Sequence, residues 1–220
     1  MYKMGLLGKK VGMTQVFTED GVRVPVTVVA TGPCMVLAKR SPDKDGYSAV
    51  QLGFDDQKPS RVNRPDLGRF KKVESDPKAF VREIRLPEEA LSRFEVGQAV
   101  KVEDVFAAGD MVDVTGHTQG KGYQGVIKRH HMNGSKATHG VHEFYRHGGS
   151  IGCRLTPGRV VKGRRMAGQM GNTQVTVPNL KVVGVRPEEG LLLIRGAIPG
   201  GKNNYVVIRY AQKKPLLDRA

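Results

Sequence analysis

Residues 21–30, which read Gly-Val-Arg-Val-Pro-Val-Thr-Val-Val-Ala, decide the fold class of this 220-residue chain. Valine occupies every second position from Val22 to Val28, directly after the turn-forming residues Glu19-Asp20-Gly21. Such alternation is typical of a strand with one buried face, and a turn in front of it predicts a hairpin. Pro25 has no N–H group to offer a neighbouring strand, so it predicts a sheet edge or a bulge. The stretch therefore predicts antiparallel β-structure.

Similar patterns recur on both sides of the middle of the chain. Val50, Leu52 and Phe54 alternate after a turn at residues 42–46, and they predict a second hairpin. Further strands are predicted at residues 96–102, 111–115, 174–177, 180–186, 191–195 and 205–209, and short helices at residues 63–72 and 87–94. Pro87 suits the first turn of the second helix. We therefore expect a mainly β fold, an antiparallel barrel or sandwich assembled from both ends of the chain.

Positive charge is concentrated between Gly116 and Gly171, a stretch we call the basic segment. The whole chain carries 36 Lys and Arg against 21 Asp and Glu, a formal charge of +15. The basic segment has ten Lys and Arg and one acid, Glu143, so +9 of that charge lies in 56 residues. It also contains all six histidines and 13 of the 28 glycines, but only eight Leu, Ile, Val or Phe residues. These are too few to close a core, so we expect a long excursion between two strands that needs an outside partner.

The composition favours a polyanionic partner and argues against several classes of protein. A strongly positive surface suits nucleic acid or an acidic membrane. No apolar stretch approaches the ~20 residues of a membrane span, and Lys9 and Lys10 interrupt the N-terminal apolar run before a signal-peptide core forms. Cys34 and Cys153 lie far apart without a Cys-x-x-Cys spacing, so neither a disulfide framework nor a zinc ribbon is indicated. We expect a cytoplasmic protein with no membrane partner, and a flexible tail at residues 211–220.

Residues 120–125, Gly-Lys-Gly-Tyr-Gln-Gly, fit the dinucleotide-binding pattern G-x-G-x-x-G. In that fold a helix of about three turns follows the motif and directs its dipole at the pyrophosphate. Here the motif is followed by Lys128-Arg129-His130-His131 and then Gly134, which do not predict such a helix. Glu143 lies near the spacing of the ribose-binding acid, but it stands among glycines and histidines. We therefore expect no cofactor and no small-molecule substrate.

Six histidines within 31 positions would suit a metal site or a metal-dependent nuclease. Such sites need several ligands, including carboxylates for a hard cation, and the segment adds only Glu143 and Cys153. We therefore expect no metal and no catalytic residues. Histidine and amide side chains also bind phosphates, 2′-hydroxyls and base edges, His and Tyr rings stack on unpaired bases, and glycine lets the backbone approach phosphates. Because duplex DNA would call for a regular helix or ribbon, structured RNA is the expected partner.

Eight stretches of the sequence together carry a family resemblance. They are GLLGKKVGMTQVF at residues 5–17, VDVTG at 112–116, GKGYQG at 120–125, KRHH at 128–131, ATHG at 137–140, GGSIG at 148–152, TPGRV at 156–160 and KGRRMAGQMGN at 162–172. With these motifs the chain closely resembles, over nearly its whole length, the large-subunit ribosomal protein L-three family in its shorter bacterial form. Motifs of this length in this order are very specific.

The resemblance implies a six-stranded β-barrel of the translation-protein type, a smaller α+β portion and a long irregular basic extension. On this chain the globular body corresponds to residues 1–115 and 172–210, with the α+β portion around 55–95. The extension corresponds to an rRNA-penetrating loop at residues 116–171, with its tip near 146–154. The family further implies binding to large-subunit rRNA, neighbouring large-subunit proteins as partners, a reach toward the peptidyl transferase centre and an early role in assembly. No catalysis is implied, because the rRNA performs the chemistry.

Most residues expected to bind rRNA are basic and lie in the basic segment. They are Lys9, Lys10, Lys121, Tyr123, Lys128, Arg129, His130, His131, His139, Arg146, Arg154, Arg159, Lys162, Arg164 and Arg165. Two positions depart from the family pattern. Cys153 stands where some bacterial members carry a methylated glutamine, so we do not expect that modification here, and Arg69 stands where histidine is common.

Two other functions remain open at this stage. One is a free RNA chaperone or regulator that never joins a particle, which co-sedimentation with large subunits would separate from a ribosomal protein. The other is a metal-dependent nuclease, which metal analysis and a cleavage assay would detect.

Overall fold

The structure is a computed structural model that describes residues 4–213, and it consists mainly of antiparallel β-strands. Its strands are β1 (Gly5–Phe17), β2 (Arg23–Ala30), β3 (Cys34–Arg40), β4 (Ala49–Asp56), β5 (Lys78–Arg85), β6 (Ala99–Val100), β7 (Met111–His117), β8 (Gly122–Gln124), β9 (Gly168–Met170), β10 (Gln174–Arg186), β11 (Leu191–Arg195) and β12 (Tyr205–Tyr210). Its helices are α1 (Pro42–Asp45), α2 (Arg64–Lys71), α3 (Glu88–Leu91), α4 (Val102–Val105) and α5 (Val126–His130). The prediction of a mainly β, antiparallel fold is confirmed.

The described chain divides into two compact units. We call the first the body, residues 4–117 and 174–213, and the second the basic unit, Thr118–Thr173. Of the tail expected at residues 211–220, the part from 214 onward lies outside the described residues. Ala211, at its start, is buried, and its N–H donates to the carbonyl oxygen of Met111 over 2.9 Å.

Six strands of the body pair in a closed ring. Their order is β1, β12, β7, β10, β11 and β2, and β2 pairs with β1 again, so each strand has an antiparallel neighbour on both sides. The strands before and after the basic unit are β7 and β10, and they pair with each other out to His117 opposite Gln174. The ring therefore combines strands from both ends of the chain, as the sequence pattern predicted.

The prediction of an edge strand at Pro25 is wrong. Strand β2 is paired on one side with β1 and on the other with β11. Proline is tolerated because the β11 pairing ends at Val26, and just beyond it the Gly196 N–H donates to the Pro25 carbonyl oxygen over 2.9 Å. The irregularity in the β1–β2 ladder lies elsewhere, between Lys10 and Gly12.

The second predicted hairpin is confirmed as part of a four-stranded antiparallel sheet in the order β5, β4, β3, β6. Helix α1 joins β3 to β4, with Pro42 in its first turn. Gly46 ends it with φ 77°, and its N–H donates to the Pro42 carbonyl oxygen over 2.9 Å. That left-handed conformation favours glycine, which explains the turn signal at residues 42–46.

Two sequence predictions in this region need correction. A strand was expected at residues 96–102, but only Ala99–Val100 pairs, and Val102 already begins α4. Local capping explains the change, because Asp104 Oδ2 accepts a hydrogen bond from the Lys101 N–H over 3.0 Å. The helix expected at residues 87–94 shortens to α3, with Pro87 in front of its first residue. Helix α2, in contrast, matches the expected residues 63–72 closely.

The ring and the four-stranded sheet share one hydrophobic core. Leu6, Val29 and Ile208 contribute to it from the ring, and Val36 and Leu52 from the sheet, all fully buried. Each such side chain stabilises the fold by about 1.5–3 kcal/mol relative to an exposed one. The alternating valines and leucines of the sequence therefore form a body with a core of its own.

Candidate nucleic-acid interface

The basic unit has almost no interior. Within Thr118–Thr173 the structure buries only Val126, and every residue from 142 to 166 is exposed. Regular structure is limited to the short ladder of β8 and β9, the helix α5 and one turn of 3-10 helix at His142–Arg146. The few apolar residues counted in the sequence are thus too dispersed to form a core.

Backbone hydrogen bonds hold the two ends of the basic unit together. Strands β8 and β9 pair from Gly122 opposite Met170 to Gln124 opposite Gly168. Below this ladder the Asn172 N–H donates to the Thr118 carbonyl oxygen over 3.1 Å. We call this paired part, residues 118–124 and 168–173, the base of the basic unit. The middle of the unit is exposed throughout.

The G-x-G-x-x-G motif contains a short strand and is followed by a short helix. Its residues Gly122–Gln124 are β8, and the helix that follows, α5, has five residues. The chain leaves that helix at His131, which has a left-handed φ of 56°. The helix after a dinucleotide-binding motif is much longer than the five residues of α5.

Arg129 and His130 converge on one backbone oxygen. The Arg129 Nη1 atom lies 2.7 Å from the carbonyl oxygen of Met166, and His130 Nε2 lies 3.0 Å from the same oxygen. These residues are 37 and 36 positions away from Met166. Both were predicted only as rRNA contacts, and no local pattern indicated that they also connect the two sides of the basic unit.

The remaining predicted residues of the basic segment are exposed. They are Lys121, Tyr123, Lys128, His131, His139, Arg146, Arg154, Arg159, Lys162, Arg164 and Arg165. Arg164 donates to the carbonyl oxygen of Ser150. None of the Lys or Arg side chains of residues 118–173, all of which the structure describes, forms an ion pair with a carboxylate of residues 4–213. The charge is therefore uncompensated, and a surface of this kind attracts a polyanion.

Exposed rings and apolar side chains lie among these cations. Tyr123 is 76% exposed and Leu155 is 86% exposed. Phe144 meets His147 edge to face, with 4.8 Å between ring centroids, and both line a concavity of about 630 Å³. Rings of this kind can stack on unpaired bases, so the basic unit offers both phosphate-binding and base-binding chemistry.

Lys9 and Lys10, predicted to bind rRNA, differ from the other candidates because their ammonium groups are already engaged in the body. The Lys9 Nζ atom lies 2.9 Å from Asp55 Oδ2. Lys10 Nζ donates to the carbonyl oxygens of Ile198 and Gly200 over 3.0 and 2.9 Å, and burial lowers the pKa of its ammonium group. A phosphate would have to share the two ammonium groups with these oxygens, so rRNA binding by Lys9 and Lys10 stays a prediction.

Two properties concern the whole described range. In residues 4–213, no three His, Cys, Asp or Glu side chains are grouped so that they could hold a metal ion. None of the helices in that range has the length and apolar character needed to cross a membrane.

Comparison with known proteins gives consistent matches. A sequence model of the family described as ribosomal protein L3 matches residues 88–190. The chain is 50% identical over 209 residues to the large ribosomal subunit protein uL3 of Syntrophotalea carbinolica, covering 95% of this chain and 98% of that protein. The corresponding protein of Halalkalibacterium halodurans is 51% identical over 209 residues, with 95% and 98% covered. That of Magnetococcus marinus is 49% identical over 214 residues, with 96% and 98% covered.

Proposed function

The chain belongs to the ribosomal protein L3 family, and on that premise we propose that it is a structural protein of the large ribosomal subunit that binds rRNA directly. Its motifs predicted this family, and that prediction is confirmed. The relatives carry the name of a large-subunit protein, which supports a structural and not an enzymatic role. Its proposed partners are large-subunit rRNA and neighbouring ribosomal proteins.

The single observation that supports rRNA binding most strongly is the uncompensated charge of the basic unit. Ten Lys and Arg side chains and one carboxylate, Glu143, lie in a unit that buries only Val126. Without a polyanion, repulsion between these cations and the entropy of the glycines oppose a single conformation. Phosphate groups would neutralise the cations and release counterions, which favours binding.

We assign a different role to each of the two parts of the chain. The six-strand ring would be the translation-protein type β-barrel of a globular region comprising residues 1–115 and 172–210, with an α+β portion around 55–95. Residues 116–171 would be the loop that penetrates rRNA toward the peptidyl transferase centre. Its Lys and Arg side chains would neutralise phosphates, while Tyr123 and the histidines would contact bases and 2′-hydroxyls. The family resemblance further implies an early contribution to subunit assembly.

Co-sedimentation of the native protein with large subunits tests this proposal. We expect the protein in the large-subunit fractions of a sucrose gradient at physiological salt, with little free protein at the top. A protein that binds RNA but stays at the top of the gradient would instead be a free chaperone. Cleavage of added RNA by the purified protein would point to a nuclease.

A further inference from the structure

A basic cleft lies on the body, between helix α2 and the four-stranded sheet. It has a volume of about 570 Å³, and its lining includes six cations but only one carboxylate, Asp66. The six are Arg40, Arg61, Arg69, Lys72, Lys78 and Arg82. All of these residues lie outside the basic segment and outside the set of residues predicted to bind rRNA.

Half of these cations have carboxylate partners and half do not. Arg40 forms ion pairs with Asp45 and Glu83, and Lys78 forms one with Asp56. Arg69 forms a longer ion pair, with 3.4 Å between its Nη1 atom and Asp66 Oδ1. For the other three, Arg61, Lys72 and Arg82, no ion pair is formed with any carboxylate of residues 4–213. Arg82 donates from Nη1 to the Val81 carbonyl oxygen over 2.8 Å and lies over the Phe80 ring, but no carboxylate neutralises its charge. Three cations without a carboxylate partner around one concavity produce a positive potential that is focused on its interior.

The Arg69 side chain is held in position at this cleft by a chain of hydrogen bonds. Its Nη2 atom donates to Gln51 Oε1 over 2.9 Å, and Gln51, only 8% exposed, donates through Nε2 to Glu83 Oε1 over 3.2 Å. A hydrogen bond from Tyr47 and others from Arg40 and Gln51 lower the pKa of Glu83, which keeps it charged at neutral pH. Because Glu83 orients the amide, its oxygen faces the guanidinium of Arg69.

Besides the charged residues and the polar Gln51, Gln57 and Asn63, the cleft has an apolar wall. Leu37, Val62, Phe70, Val73 and Val81 contribute to its lining. A volume of about 570 Å³ lies within the range of roughly 300–1,000 Å³ typical of small-ligand sites. Such a cavity has room for one nucleotide but not for a duplex. The combination of apolar walls, guanidinium planes and unpaired cations matches a base together with its phosphates.

We propose that this cleft binds an unpaired nucleotide of an RNA strand, with the base against its apolar wall and the flanking phosphates at Arg61, Arg69, Lys72 and Arg82. The inference deepens the proposed rRNA-binding function and rests on it for the identity of the ligand. It gives the body a contact that is independent of the basic segment.

Photo-crosslinking of the full chain locates this contact. The probe is a six-nucleotide oligouridine containing 4-thiouridine, and the crosslinked peptides are identified by mass spectrometry. We expect crosslinks within residues 57–82 in addition to those in the basic segment. R69Q and K72Q should each reduce the crosslinks within residues 57–82 about tenfold, as expected for loss of a hydrogen bond from a charged group. The crosslinks in the basic segment should stay unchanged.

The matched control is K71Q, which removes the same charge from the neighbouring residue of α2 but does not alter the lining of the cleft. Equal losses in K71Q and K72Q would mean general charge attraction and would overturn the proposal. Crosslinks confined to the basic segment would also overturn it while leaving the proposed function intact. Absence of crosslinks in the basic segment would count against the proposed function instead. If uridine monophosphate competes as well as the oligonucleotide, the cleft is a mononucleotide site and the assignment to RNA is wrong.

Discussion

The phenol of Tyr205 donates a hydrogen bond of 2.8 Å to Oδ2 of Asp55, and this contact joins the ring strand β12 to the end of β4 in the second sheet. Lys9 of β1 bonds the same oxygen over 2.9 Å. The Tyr205 ring also stacks on Phe80, with 4.8 Å between centroids. Hydrogen bonds from Lys9 and Tyr205 lower the pKa of Asp55, while burial and the bond to Asp55 raise the pKa of Tyr205 to about 12.

This arrangement predicts a pH-dependent contribution to stability. The pKa of Asp55 is lower in the folded protein than its ordinary value of 3.8, so its carboxylate stabilises the fold above about pH 4. That stabilisation is lost as the pH falls through the lowered pKa, because the protonated group no longer attracts Lys9. We expect D55N to reduce the free energy of unfolding by about 1–2 kcal/mol at pH 7 and by less at pH 2. Urea unfolding of both proteins at the two pH values measures the difference.

The control for this prediction is Y205F, which removes one neutral donor but keeps the ion pair of Lys9 with Asp55. Its effect, about 1 kcal/mol, should vary less with pH than that of D55N. A D55N effect of equal size at both pH values would show that the charge of Asp55 does not stabilise the body.

The proposed phosphate contacts predict a strong salt dependence. If about six phosphates are neutralised, the logarithm of the affinity for rRNA should fall with the logarithm of salt concentration with a slope of roughly −4 to −5. Replacing Arg164 and Arg165 by Gln should make that slope shallower by about 1–2, since two contacts are lost. Filter binding of an rRNA fragment over a series of KCl concentrations gives the slope. A salt-insensitive interaction would contradict the proposed mode of binding.

Removal of the exposed part of the basic unit should separate folding from assembly. We expect a chain in which residues 123–166 are deleted and the gap closed to keep its body, because the core cluster and the pairing of β7 with β10 lie outside the deletion. Its melting temperature should change by only a few degrees. Incorporation into large subunits, followed by gradient sedimentation, should be poor. Assembly at the level of the intact chain would count heavily against the proposed function.

The two cysteines should differ strongly in reactivity. Cys34 is fully buried, its thiol donates to the Leu7 carbonyl oxygen over 3.4 Å, and burial raises its pKa to about 11. Cys153 is exposed. Because the thiolate is the reactive form, we expect a chromogenic disulfide reagent at pH 7 to modify one thiol quickly in the native protein and the other only after unfolding. In C153S the fast reaction should be absent, and a rapid reaction of that variant would show that Cys34 is accessible.

The base of the basic unit should be sensitive to a methyl group at one glycine. Gly171 has φ 72°, and a Cβ atom there would lie 2.1 Å from the carbonyl oxygen of Gln119. Gly122 also has a positive φ, 68°, but a Cβ atom there would meet nothing within 4 Å. Both alanine variants would be strained by about 1 kcal/mol through φ, and only G171A adds a collision with the backbone.

Hydrogen exchange measures this difference. The amide of Lys121, which bonds the Met170 carbonyl oxygen, and that of Asn172 report on the base of the basic unit. We expect both to exchange clearly faster in G171A than in G122A. Equal rates in the two variants would show that the close approach of Gly171 to Gln119 does not matter for the base.

Several features could be predicted because they depend on residues close together in the sequence. The valine alternation in β2 with the turn before it, and the turn at Gly46, each predicted a hairpin that the structure contains. The strand predicted to reach Val102 was wrong, because the hydrogen bond from the Lys101 N–H to Asp104 favours the start of a helix there. The cleft beside α2 was missed because its cations come from β3, α2, β5 and the residues on either side of α2, and their spacing along the chain has no regular period.

The sequence by itself determined the β class, the family and the uncompensated charge of the basic segment, since alternation, motifs and charge counts are local properties. Only the tertiary structure decided that Gly5 pairs with Arg209, that Arg129 reaches Met166, and that Lys10 is bound to carbonyl oxygens within the body. The physical reason is that such contacts depend on which distant segments bury their apolar faces together. Burial then determines which polar groups find partners inside the chain and which remain available to RNA.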